Sequence, residues 1–281
     1  MRLAFFVPMA LVGLSGCATS VSDGADADAA QVHAFLRVDQ AVDASGGART
    51  HATASFLRVH DGGDPTVVAR VVGALPAIPP EGGCARLDDE PAVPLHSLTP
   101  VELVQVDGVT VGSDEASTSL SARAYPDVAH LVSGVVYTSP DTAGSPGRRV
   151  TFRVLGSADV PSFDAAIDAP AALEGLRVNG VALGSAAPPA ALAPLRVTWE
   201  GDRGTDAVYA DFTSTGTAAR WRCSADASGL VGPALAAPAG TKINVTVHRV
   251  RVAPFTAGAL GTAEVRLDAA IAGTLSFDEP G

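Results

Sequence analysis

Two pairs of arginines carry the most suggestive spacing in this 281-residue chain. Arg220 and Arg222 stand two residues apart, as do Arg249 and Arg251, so each pair shares one face if its segment is a β-strand. If both strands lie in one sheet, the four guanidinium groups form an outward stripe that forks the carboxylates or phosphates of a partner. Peptidoglycan carboxylates and lipid phosphates meet that description. The plainer alternative is a polar strand face kept soluble by arginine, with Glu200, Glu264 and Asp268 as cross-strand counter-charges. His60-Asp61-Gly62-Gly63-Asp64 is the one place where metal-capable groups crowd together. Asp61 and Asp64 offer oxygen ligands to a weakly held calcium, but an Asp-Gly-Gly-Asp turn accounts for the same residues without metal. Leu87-Asp88-Asp89-Glu90-Pro91 reads as a solvated acidic loop. No two of the six histidines stand at the i, i+4 spacing of a helical zinc motif, and neither Cys-x-x-Cys nor Gly-x-Ser-x-Gly occurs. The sequence therefore nominates no catalytic residue and no cofactor.

The elements that must position these groups are strands. Leu195, Val197 and Trp199 alternate with polar neighbours, and so do Ala219, Trp221 and Cys223. Ala263, Val265, Leu267, Ala269 and Ile271 share one parity, continued by Leu275 and Phe277. Shorter runs are expected over 34–38, 54–59, 66–72, 101–106, 117–124, 131–138 and 149–155. Ile243, Val245 and Val247 start a further run that Val250 and Val252 continue on the opposite parity, which predicts a β-bulge at His248-Arg249. The Ala-rich stretches 165–173 and 186–195 are broken by prolines and promise at most a short helical turn each. Both tryptophans fall on core parity. Many short strands with few helices predict an all-β, antiparallel β-sandwich architecture, as two Ig-like or jelly-roll-like sandwiches over 33–157 and 158–281.

A net charge of −11 argues against nucleic acid as a partner, since that needs a basic footprint. Lys242 is the only lysine, a compositional bias toward arginine and alanine that suits a GC-rich genome. Past the N-terminal stretch no apolar run reaches membrane length.

Leu14-Ser15-Gly16-Cys17 closes a short apolar stretch that begins after Arg2. It resembles the lipobox of bacterial lipoproteins. The resemblance implies that residues 1–16 are a signal peptide and that Cys17 becomes the acylated first residue. Three acyl chains imply permanent residence on a membrane surface. Ala18, in place of the Asp of the best-known retention rule, points to the outer membrane. Residues 17–32, with Ser22-Asp23-Gly24-Ala25-Asp26-Ala27-Asp28, read as lipidated cysteine plus flexible tether. Beyond the inner membrane the compartment is oxidising. The remaining cysteines, Cys84 and Cys223, form either a disulfide closing a loop of more than 100 residues or two separately buried thiols.

A second resemblance rests on Val160-Pro161-Ser162-Phe163, Asp168-Ala169-Pro170, Val197-Thr198-Trp199, Cys223-x-x-Asp226-x-x-Gly229 and Val247-His248-Arg249. Roughly Val150 to Pro254 is similar to the C-terminal part of a group of secreted proteins and lipoproteins of high-GC, myxobacteria-like bacteria. That group has no assigned activity, so the resemblance implies fold and compartment only. Two functions follow as expectations. One is a lipid-anchored, non-enzymatic binding or structural module of the cell envelope, held to the membrane by its lipid and meeting an envelope protein or peptidoglycan. The other is an envelope hydrolase whose site is built in loops at one end of a sandwich.

Overall fold

The computed structural model describes residues 30–278, apart from 44–45, 60–62, 89–100, 114–115, 127–131, 145–146, 188–189 and 216–218. The proposed signal, Cys17, the tether up to residue 29 and Asp61 lie outside the described residues. In chain order the first elements are β1 (Gln31–Val42), β2 (Ala48–Val59), α1 (Pro65–Val71), β3 (Cys84–Arg86), β4 (Val101–Leu103), β5 (Val109–Gly112), β6 (Ser117–Ser119), β7 (Ser121–Ala124), β8 (Val132–Thr138), β9 (Thr142–Ala143) and β10 (Arg149–Val154). They are followed by β11 (Phe163–Asp168), β12 (Glu174–Val178), β13 (Val181–Ala182), β14 (Ala186–Ala187), β15 (Ala190–Glu200), β16 (Ala207–Ser214), β17 (Arg220–Ser224), β18 (Leu230–Ala237), β19 (Thr241–Pro254) and β20 (Ala263–Phe277). The chain is thus an all-β, sandwich-like fold.

One long sheet carries both halves, in the order β3-β17-β16-β19-β20-β1-β2-β4-β8-β7. Its centre is a parallel pair, β1 beside β20, with antiparallel β2 and β19 flanking it. Two four-stranded sheets, β11-β10-β5-β6 and β13-β12-β15-β18, complete the fold. Period-2 alternation explains how they pack. On β20, Val265 and Leu267 point into a core closed by Val109, Phe152 and Ile167 of the first small sheet. Further along the same face, Leu275 and Phe277 enter a core closed by Val178, Val197 and Leu230 of the second. The opposite face of the long sheet buries Phe35, Leu57 and Val59 against Val68 and Ala69 of α1.

Several expectations change. The boundary expected near 157 falls inside the β10–β11 hairpin, and the long sheet runs through both halves instead of ending with the first. Residues 65–71 are helix, not strand. Asp64 caps α1 through an Oδ1 that accepts the Thr66 N–H at 2.8 Å, and Pro65 opens the first turn. In the Ala-rich stretches, residues 165–168 belong to β11, 186–187 to β14 and 190–195 to β15. No bulge interrupts β19, which stays in register with β20 from Thr241 to Pro254. The parity slip is real: Val247 is buried on one face, Val250 on the other, and Val252 is exposed. At Gly134, φ is +122° and a Cβ would lie 2.0 Å from the Leu103 carbonyl oxygen. Only glycine lets β8 run this close to β4.

Candidate functional site

The four arginines do not form a stripe. Cross-strand register sets Arg222 opposite Asp211 and Arg249 opposite Val208, so the two strands present their arginines on opposite faces of the long sheet. Arg222 donates Nε and Nη2 to both Asp211 oxygens, at 2.7 and 2.8 Å, and Nη1 to the Ala77 carbonyl at 3.0 Å. Its guanidinium stands 4.9 Å above the Tyr209 ring centroid. Arg249 and Arg251 converge on one carboxylate, Asp206. Arg249 Nε lies 2.7 Å from Asp206 Oδ2, and Arg251 Nε 2.8 Å from Oδ1. Arg249 also donates to the carbonyls of Asp202 and Arg203, and Arg251 to those of Asp168 and Ala169. Residues 169–173 connect the two small sheets, so this triad ties that connection to β19. Burial alone would raise the Asp206 pKa, but the hydrogen bonds and charges of Arg251 and Arg249 hold it below the usual carboxylate range. Arg220 is exposed; its backbone N–H donates to Asp88 Oδ2 at 2.9 Å.

A second polar group lies on the other face of the long sheet. His248 Nδ1 meets Asp268 Oδ1 at 2.9 Å, and Tyr209 donates its hydroxyl to Asp268 Oδ2, also at 2.9 Å. The Tyr209 and His248 rings stack with centroids 4.3 Å apart. Arg37 Nη2 adds a contact to Asp268 at 3.6 Å and binds Asp39 at 2.6 Å. Burial works against the charged form of Asp268, yet hydrogen bonding to His248 and Tyr209 and the Arg37 charge keep its pKa low. Burial, reinforced by Asp268, raises that of Tyr209. A histidine oriented by a carboxylate is half of a nucleophile-activating pair. Here, however, Nε2 faces the Asp211 carboxylate, with Oδ2 at 3.9 Å. The arrangement is a buried counter-charge network whose members satisfy one another.

His33 Nδ1 accepts the Thr262 N–H at 2.9 Å, and burial lowers its pKa. His51 Nε2 lies 3.1 Å from Thr138 Oγ1, while Nδ1 is 3.2 Å from Asp141 Oδ1 without hydrogen-bond alignment. Among the described residues, no three His, Cys, Asp or Glu side chains converge on a point where a metal ion fits. The Asp64 carboxylate is engaged as the helix cap. Cys84 and Cys223 are cross-strand partners on β3 and β17, joined by a disulfide across 139 residues of chain.

Two concavities among the described residues bear on binding. A cleft of about 210 Å³ opens between β1–β2 and the first small sheet, lined by Val38, Ala52, Val111, Val150, Thr118 and Ser139 with no charged group. The other is a groove on the outward side of the second small sheet. There the Asn179-Gly180 turn follows β12, with Asn179 at φ +51° and its Oδ1 accepting the Arg196 N–H at 2.7 Å. One stretch, about 280 Å³, is lined by Asn179, Gly180, Pro194, Arg196, Thr198 and Val231. An adjoining stretch of about 270 Å³ shares Thr198 and continues past Trp199, Asp202, Arg203, Asp226 and Ser228. Trp199 packs on the second core and borders this stretch. Sequence reading placed Trp199 in the core and Arg196 on a polar face, and missed the groove. The Asn-Gly dipeptide was the available signal, since it predicts a hairpin turn beside the strand it pairs with. Compared with known proteins, the chain matches no family model, no curated protein and no solved structure.

Proposed function

We propose that this chain is a lipid-anchored, non-enzymatic binding module of the cell envelope. The observation that carries the reading is Leu14-Ser15-Gly16-Cys17 behind a charged and apolar leader. Among the described residues no helix is long and apolar enough to cross a membrane; a diacyl or triacyl anchor would hold the protein to the membrane surface. Binding rather than catalysis is supported by where the reactive groups stand. The His248–Asp268 pair faces a carboxylate, and three of the four arginines are engaged in hydrogen bonds within the fold. The outward groove around Arg196 and Trp199 is the surface on which a partner would seat. The site of action is proposed to be the outer membrane, on the strength of Ala18.

Changing Cys17→Ala tests the anchor. The variant is expected to remain unprocessed or unlipidated and to leave the detergent phase on partitioning; maturation and partitioning unchanged from the parent would overturn the reading. Crosslinking in intact cells, followed by mass spectrometry of the adducts, tests the binding role. A recurrent envelope adduct lost in the Cys17→Ala strain supports it, and uniform non-specific adducts refute it.

A further inference from the structure

The groove on the second small sheet is charged in opposite senses at its two ends. Arg196 stands exposed at one end, and its guanidinium has no ion-pair partner among the described residues. Arg177, one strand away on β12, is exposed too and among the described residues donates only to the Gly180 carbonyl, at 3.1 Å. At the other end lie Asp202 and Asp226. The one cation there, Arg203, is paired with Glu81 at 3.3 Å, so the end is net acidic. Asp202 Oδ1 accepts the Gly204 N–H at 3.0 Å, which leaves Oδ2 without a partner among the described residues. Asp226 accepts from the Ser228 N–H and hydroxyl, at 2.7 and 2.6 Å, and these bonds hold it as a carboxylate. Between the ends the lining is apolar or neutral: Val231, 37% exposed, then Thr198.

A single-sign ligand fits one end of this groove and is repelled by the other. A bipolar ligand satisfies both. From Arg196 to Glu200 the strand rises about 13 Å, at about 3.3 Å per residue, which is the reach of roughly four extended peptide units. We propose that the groove between Arg196 and Asp202–Asp226 binds a short peptide in extended form, its free carboxylate on Arg196 and its free ammonium at the acidic end. The guanidinium fork takes the carboxylate bidentately, and small side chains pack on Val231 and Thr198. The proposal rests on the binding reading above and names its ligand class.

Titration calorimetry of the full chain in detergent, with tetra-alanine as probe, tests it. Saturable binding is expected, weakened about tenfold by N-acetylation and about tenfold by C-terminal amidation, the loss typical of one charge-assisted contact. Arg196→Gln should bind the acid and the amide equally. Asp202→Asn with Asp226→Asn should bind the free and the acetylated peptide equally. Both variants change exposed or half-exposed side chains, so an unchanged urea midpoint certifies their folding. No saturable binding of tetra-alanine, equal binding of its blocked forms, or binding of an N-acetylglucosamine tetramer in its place would each overturn the peptide assignment. Failure here beside a specific envelope adduct in cells removes the ligand class and leaves the module. Peptide binding beside an unanchored protein removes the anchor and leaves the groove.

Discussion

Asp206→Asn preserves the shape of a side chain and removes one negative charge from between two guanidinium groups. The Asp206 side chain is 2% exposed and that of Arg249 6%, whereas Arg251 is 35% exposed. Removing one partner of a buried pair costs about 3 to 5 kcal/mol, because the remaining charge is left uncompensated. Arg249 keeps two carbonyl acceptors, which pulls the figure toward the lower bound. Arg251 is open enough to solvent that its share is at most about 1 kcal/mol. The net expectation is a loss of about 3 kcal/mol at pH 7. With a urea m-value of about 3 kcal/mol/M, the unfolding midpoint should fall by about 1 M with m unchanged. The pH dependence follows from the depressed folded pKa of Asp206. The unfolded chain holds that proton more tightly, so the stabilisation is complete above about pH 4 and is lost as pH falls through the folded value. The gap between parent and variant should therefore close in acid. Adding Arg249→Met to Asp206→Asn should recover part of the loss, since it removes the stranded charge. A midpoint shift below about 0.3 M at pH 7 would show the triad behaving as a surface ion pair and refute the expectation of a stranded, buried charge.

Unfolded without reductant, the protein should expose no free thiol from Cys84 or Cys223, and Cys84→Ser with Cys223→Ser should cost about 2 to 5 kcal/mol in urea titrations; two labelled thiols in the parent would refute the bond. Asp64→Ala should weaken the α1 cap by about 1 kcal/mol, seen as faster amide exchange in 66–71, and unchanged exchange would argue against the cap. Gly134→Ala should cost at least about 2 kcal/mol, because its Cβ collides with the Leu103 carbonyl in a backbone region alanine disfavours; a neutral effect on thermal unfolding would show that the β4–β8 pair is looser than this close approach requires.

The β character was legible because alternation persists over long runs: the odd positions from Ala263 to Phe277 all belong to one sheet face. The helix at 65–71 was not, although Asp64 and Pro65 are start signals, because Thr-Val-Val-Ala-Arg-Val-Val is β-rich in composition and too short for helical periodicity. The supposed bulge at His248-Arg249 and the supposed arginine stripe share one cause. Both assume that a strand buries only one face. The long sheet is covered on both, so β19 switches its buried parity without a bulge and carries Arg249 inward on the same side as Val247. The parity of Arg249 was readable in the sequence; its counter-ion was not, because Asp206 sits in a loop more than forty residues away. The groove and the Cys84–Cys223 bond likewise depend on strand pairings remote in sequence, β12 with β15 and β3 with β17, which local patterns do not encode.

The parallel pairing of β1 with β20 has a consequence for when this protein is able to fold. The two strands at the centre of the long sheet come from opposite ends of the described chain, with Ala34 beside Ala263 and Val42 beside Ile271. The ladder that joins the two cores therefore waits until β20 has been synthesised, and closing a loop of that length makes it a slow event. A growing chain of this topology stays short of its native sheet until β20 has emerged. For a polypeptide proposed to cross a membrane before it folds, that delay keeps it threadable until the far side is reached.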